Sequence, residues 1–120
     1  MSINWNSTVA GSLSNMGLSH SNGTFTYNGT TPITIYINFG AWLSSLSAAG
    51  LFVALVYTQG VITFRFHQYV AIGGVSLFGN TVLTLSNGST FSIGISPPAG
   101  VSANVNSSGS SYTWLRITQI

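Results

Sequence analysis

The 120-residue chain contains no aspartate, glutamate, lysine or cysteine, and its only charged side chains are Arg65 and Arg116. Each absence removes a class of chemistry. Without side-chain carboxylates there is no acid pair for glycoside hydrolysis, no acidic member for a Ser-His-Asp triad and no cage for calcium or magnesium. Without cysteine there is no disulfide, no thiolate zinc site and no thiol nucleophile, so the redox compartment leaves no trace. The pI of 9.4 rests on two unopposed arginines. Phosphate binding takes a cluster of cations, so nucleic acid is not an expected partner. His20 and His67 are the only side chains that titrate near neutrality, too few to hold a metal within one chain. No G-x-S-x-G motif or serine–base constellation occurs, and the expectation is a protein that is not an enzyme and carries no cofactor.

What the chain does have is apolar and hydroxylated. Hydrophobic residues make up 45% and aromatics 12%, against 2% charged where about 25% is usual. A surface must then be hydrated by Ser, Thr, Asn and Gln, which number 45. Such a chain collapses rather than staying disordered, and its length suits one domain. The uncharged run Ala41–Tyr57 approaches the length of a membrane span, but three serines in its first half, no basic flank and strand-like alternation on both sides favour strands. No membrane span is expected. Met1–Ala10 has neither a basic region nor a continuous apolar core, so no signal peptide is visible there.

From Thr24 onward apolar residues recur with a period of two, the mark of strands with one buried face. Thr24–Tyr27 reads as a short strand ended by a turn at Asn28-Gly29. Ile33, Ile35, Ile37 and Phe39 alternate with Thr34, Tyr36 and Asn38 in the clearest strand of the chain. Leu51–Tyr57 and Val61–Phe66 read as a hairpin about Thr58-Gln59-Gly60, and Thr81–Leu85 and Thr90–Ile95 as a second hairpin about Ser86-Asn87-Gly88-Ser89. A final strand spans Ser111–Ile120. About eight strands and no long amphipathic helix predict an all-β sandwich or barrel. Residues 1–23 read as an edge strand or loose arm, and 24–120 as the domain proper.

Four stretches carry a resemblance. Gly23-Thr24-Phe25-Thr26-Tyr27 followed by Ile33-Thr34-Ile35-Tyr36-Ile37 is similar to the aromatic strand and "G-x-Y-x-I-S" strand of the C1q/TNF-like jelly-roll superfamily. Thr81 to Ile93 resembles its "L-x-L-x-x-G-D-x-I-x-V" hairpin, and Tyr112-Thr113-Trp114-Leu115-Arg116-Ile117 resembles its closing "L-T-I-I-R-L" strand. The superfamily includes the C-terminal domains of bacterial collagen-like proteins and viral spike or knob domains. Ser89 stands where the family has Asp, which leaves a family-type calcium site without support. The resemblance implies a two-sheet antiparallel Greek-key jelly-roll sandwich that forms a homotrimer, one sheet of each subunit facing its neighbours, on a virion or another extracellular surface.

Alternation places Leu115 and Ile117 on one face of the last strand and Tyr112, Trp114, Arg116 and Ile120 on the other. With Tyr36, these five residues are the candidate trimer interface. Arg116, having no acidic side chain to pair with, is left with carbonyls, aromatic faces or the terminal carboxylate of Ile120. Trp42, Gln68 and Tyr69 form a candidate ligand site, since ring stacking and amide hydrogen bonds recognise a glycan without charge. Loop packing is the alternative for Trp42. Three functions therefore stand open: a trimeric spike, knob, cap or trimerisation head that also meets other virion or surface proteins, a sugar-binding jelly roll, or a small capsid or shell subunit.

Overall fold

Alternating apolar residues need a second apolar layer to cover them, and the chain supplies it from its own other half. The computed structural model describes residues 9–10, 13–71, 75–105 and 113–120. Their strands are β1 (Val9–Ala10), β2 (Leu18–Ser21), β3 (Thr24–Tyr27), β4 (Ile33–Ser44), β5 (Gly50–Thr58), β6 (Val61–Val70), β7 (Val75–Leu85), β8 (Thr90–Ser96), β9 (Asn104–Val105) and β10 (Trp114–Gln119). One 3₁₀ turn at Ser14–Met16 is the only helical element among the described residues. No helix is long and apolar enough to cross a membrane.

Two sheets result. The front sheet runs β1-β10-β4-β7, with β9 also against β4, and the back sheet runs β2-β3-β8-β5-β6. All pairings are antiparallel except β1 with β10. The chain changes sheet between β1 and β2, β3 and β4, β4 and β5, β6 and β7, β7 and β8, and β8 and β9. This is the wrapping of a jelly-roll sandwich. The strand β4 is its spine, paired along one edge with β10 from Ile35 to Gly40 and along the other with β7 from Ile33 to Leu43.

Between the sheets lies an uncharged core. Ile35, Ile37, Phe39 and Leu43 of β4 and Leu115 and Ile117 of β10 face Phe52, Phe91 and Ile93 of the back sheet, all buried. Phe39 meets Phe66 edge to face, with ring centroids 6.0 Å apart. Gly79 makes that packing possible, because a Cβ there would lie 2.8 Å from Phe39 Cε1 and 3.0 Å from Phe66 Cδ2.

Ahead of residue 24, Leu18–Ser21 pairs with β3 at the edge of the back sheet, with Leu18 buried. The structure departs from the sequence reading at two places. The tight turn lies at Asn22-Gly23, with φ of 49° and 85°. Asn28-Gly29 does not take a left-handed turn; Gly29 is needed because a side chain there would overlap the ring of Tyr27, whose hydroxyl donates to the Thr31 carbonyl. The expected second hairpin does not form either, since β7 pairs with β4 while β8 pairs with β3 and β5. Its turn is bonded to the β3–β4 link instead. Gly88 N–H donates to Tyr27 O at 2.8 Å, Tyr27 N–H to Ser89 O at 2.9 Å, and Asn87 Nδ2 to Gly29 O at 3.0 Å. By contrast, the β5–β6 hairpin forms as expected, with Gln59 and Gly60 at φ of 52° and 75°.

Gly79→Ala is expected to force Phe39 and Phe66 apart and to destabilise the fold by about 1–3 kcal/mol, as overpacking does in well-filled cores. Chemical denaturation of the two proteins checks this.

Candidate functional site

Strand alternation on β4 and β10 sends one set of side chains inward and leaves the other on the outer face of the front sheet. Register then fixes which of these meet. Trp114 lies opposite Gly40, and Gly40 opposite Phe78. One step along the strands, Arg116, Asn38 and Asn80 form the next row, followed by Thr118, Tyr36 and Val82. The outer face therefore carries Tyr36, Phe78, Val82, Trp114 and Arg116 together. Phe78 and Val82 are about half exposed, at 53% and 48%, which is much apolar area for a face with nothing over it.

Gly40 shapes the centre of this face. The Trp114 indole lies over it so closely that a Cβ would sit 2.7 Å from Nε1 and 2.9 Å from Cε2. Phe78 closes the other side, its centroid 6.5 Å from that of Trp114. Arg116 places its guanidinium carbon 5.8 Å from the Trp114 centroid, a cation–π arrangement worth about 0.5–1 kcal/mol at an exposed position.

The sequence candidates fall as follows. Tyr36, Trp114 and Arg116 share this face, while Tyr112 lies outside the described residues. Ile120 ends the row beside Thr34, its N–H donating to Thr34 O at 2.9 Å with the residue 72% exposed. Trp42 is on the same face, held at its backbone N–H by Thr113 Oγ1 at 3.0 Å. Tyr69 is on the outer face of the back sheet, 71% exposed. Gln68 turns toward the open side of the sandwich, where Oε1 accepts the Phe78 N–H at 2.7 Å. Trp42, Gln68 and Tyr69 are thus not brought together into one site. Gly40, Phe78 and Val82 were not among the candidates. The clue to Gly40 was a glycine interrupting the strand pattern, which marks a close approach.

His20 shows how a neutral imidazole is used. It stacks on Phe25 at 4.4 Å, and Phe25 stacks on Phe91 at 4.9 Å, a ladder across β2, β3 and β8. Its Nε2 accepts the Gly23 N–H at 3.0 Å inside the β2–β3 turn. Desolvation by burial holds its pKa below the ordinary histidine value. The folded state therefore binds this proton less readily than the unfolded state. Its contribution is fully present above about pH 6.5 and is lost as pH falls through the lower folded value. Protonation also sets an N–H against the Gly23 N–H.

The melting temperature is expected to drop as pH is lowered from 7 to 5, and His20→Phe, which keeps a ring on Phe25 but cannot titrate, is expected to lose the His20 share of that drop. Thermal melts of both proteins across this range check it; an undiminished drop in the variant would assign the effect elsewhere.

No family model matches this chain, and no curated protein sequence matches it, so the chemistry of these faces stands on the chain's own residues.

Proposed function

We propose that the protein is a non-enzymatic, homotrimeric jelly-roll module of the C1q/TNF-like kind, serving as a spike, knob, cap or trimerisation head on a virion or bacterial surface. The observation that carries this reading is the outer face of the front sheet. Trp114 and Phe78 about Gly40, and Tyr36 and Val82 farther along the strands, form two apolar patches there, with Arg116, Asn38 and Asn80 in the row between them. Depletion of charge together with aromatic residues and arginine is the composition of an interface centre. Three copies turning this sheet inward cover both patches, and Arg116 keeps its partner in the Trp114 ring. The resemblance points to the same sheet, since it assigns assembly to the face that carries Tyr36 and Trp114.

A surface role suits the composition. With no acidic side chain, the fold has no carboxylate pairs to lose in acid and few ion pairs for salt to screen. A shell-tiling subunit would use the same face, but the mass of its assembly would differ.

Light scattering is expected to give three times the 12.6 kDa chain mass. Trp114→Ser is expected to release folded monomers. Gly40→Ala, which keeps the indole but pushes it off the sheet, is expected to weaken the trimer by at least about tenfold in dissociation constant, or about 1.4 kcal/mol. A wild-type monomer would refute the reading, and a Trp114→Ser trimer of unchanged melting temperature would exclude this face as the interface.

A further inference from the structure

Along one side the sandwich is open, with the edge strands β6 and β7 of the two sheets running beside each other. Gln68 bridges them at one point through the Phe78 N–H. Farther along, a cleft of about 350 Å³ opens between Thr63–Phe64 of β6 and Val82–Leu85 of β7. Its apolar wall includes Phe64, Leu83 and Leu85, and its polar rim includes Gln59, Thr63 and Ser89.

The Gln68 bond also reveals the direction of the β7 backbone. Phe78 N–H points to the free edge, and backbone polar groups alternate sides along a strand. Without a register shift from Val75 to Leu85, the N–H and C=O of Val82 and Thr84 point to that same edge. Among the described residues no strand pairs with β7 there. These groups line the cleft together with the amide of Gln59. Its Oε1 is occupied by Thr90 N–H at 2.6 Å and Thr90 Oγ1 at 3.0 Å, while its Nε2 has no partner among the described residues.

We propose that this cleft binds a neutral saccharide, with one pyranose ring seated in it. No lining residue carries a charge, so an ionic ligand would be desolvated without compensation. A hydrocarbon chain would fill the apolar wall but leave the Val82 and Thr84 groups without hydrogen bonds. A pyranose meets both demands, laying its C–H face on Phe64 and offering hydroxyls that donate and accept to the strand edge and Gln59. The volume falls within the range of small-ligand pockets, about 300–1,000 Å³. An extended peptide would use the same backbone groups, but Gln68 already occupies the edge at Phe78. The free edge groups that remain are those of Asn80, Val82 and Thr84, and a peptide strand paired there would leave the apolar wall at Phe64 and the Gln59 amide unused.

Isotope-labelled intact protein titrated with glucose, galactose, mannose and N-acetylglucosamine tests this, with an uncharged pentapeptide as a second probe. The amide signals of Val82, Thr84 and Thr90 and the Gln59 side chain are expected to shift and saturate with at least one sugar, at a dissociation constant of about 1 mM. Thr84→Lys, which lays a long chain across the mouth, is expected to weaken binding at least about tenfold with the melting temperature kept. The near-isosteric Thr63→Val, expected to weaken binding, serves as the alternative if the lysine variant does not fold. Absence of saturable shifts with all four sugars overturns the proposal. So do shifts that centre on Trp42 or Tyr69 and survive both variants, or shifts produced by the pentapeptide alone.

Discussion

Phe39 from the front sheet and Phe66 from the back sheet meet edge to face in a space that Gly79 leaves empty. The other contacts that join the two sheets are of the same uncharged kind. Burying a large apolar side chain contributes roughly 1.5–3 kcal/mol, and Phe25, Phe52, Phe91, Ile35, Ile37 and Ile93 are all fully buried or nearly so. No side-chain ion pair can form in a chain without acidic side chains. The stability of the sandwich therefore rests on close packing and on its backbone ladders.

Amides and hydroxyls take over tasks that charge performs elsewhere. Sheet edges are commonly protected by lysine or by inward charges; here Gln68 occupies the β7 edge and Gln59 ties the β5–β6 turn to β8 at Thr90. Asn87 fastens the β7–β8 turn to the β3–β4 link. Thr113, buried just ahead of β10, accepts the Trp42 N–H at its Oγ1. These bonds join turns and strand edges that lie far apart in the sequence.

The strands with strict alternation were legible. Ile33 to Phe39 showed its inner and outer faces in the sequence, and Leu115 and Ile117 separated from Trp114 and Arg116 for the same reason. The first half of β7 was not, because Phe78 points outward and Gly79 points inward, which erases the polar–apolar contrast. Turn chemistry at Ser86–Ser89 showed that the chain reverses, but it could not show which sheet receives the next strand. That choice depends on bonds to Tyr27 and Gly29, some 60 residues earlier. The same limit governed the candidate sites. Tyr36 and Trp114 were placed together by alternation on two strands, whereas Trp42 and Tyr69 were separated by sheet membership, which spacing alone does not encode.

The central claim is that this fold is held together without charge. Its most direct test is the melting temperature between about pH 2 and 5, below the histidine range, at low and high salt. A side chain inventory without Asp or Glu predicts a nearly flat profile, unchanged by salt, because no side-chain carboxylate is protonated on the way down. A steep loss of stability below about pH 4, or a strong dependence on salt, would contradict the account.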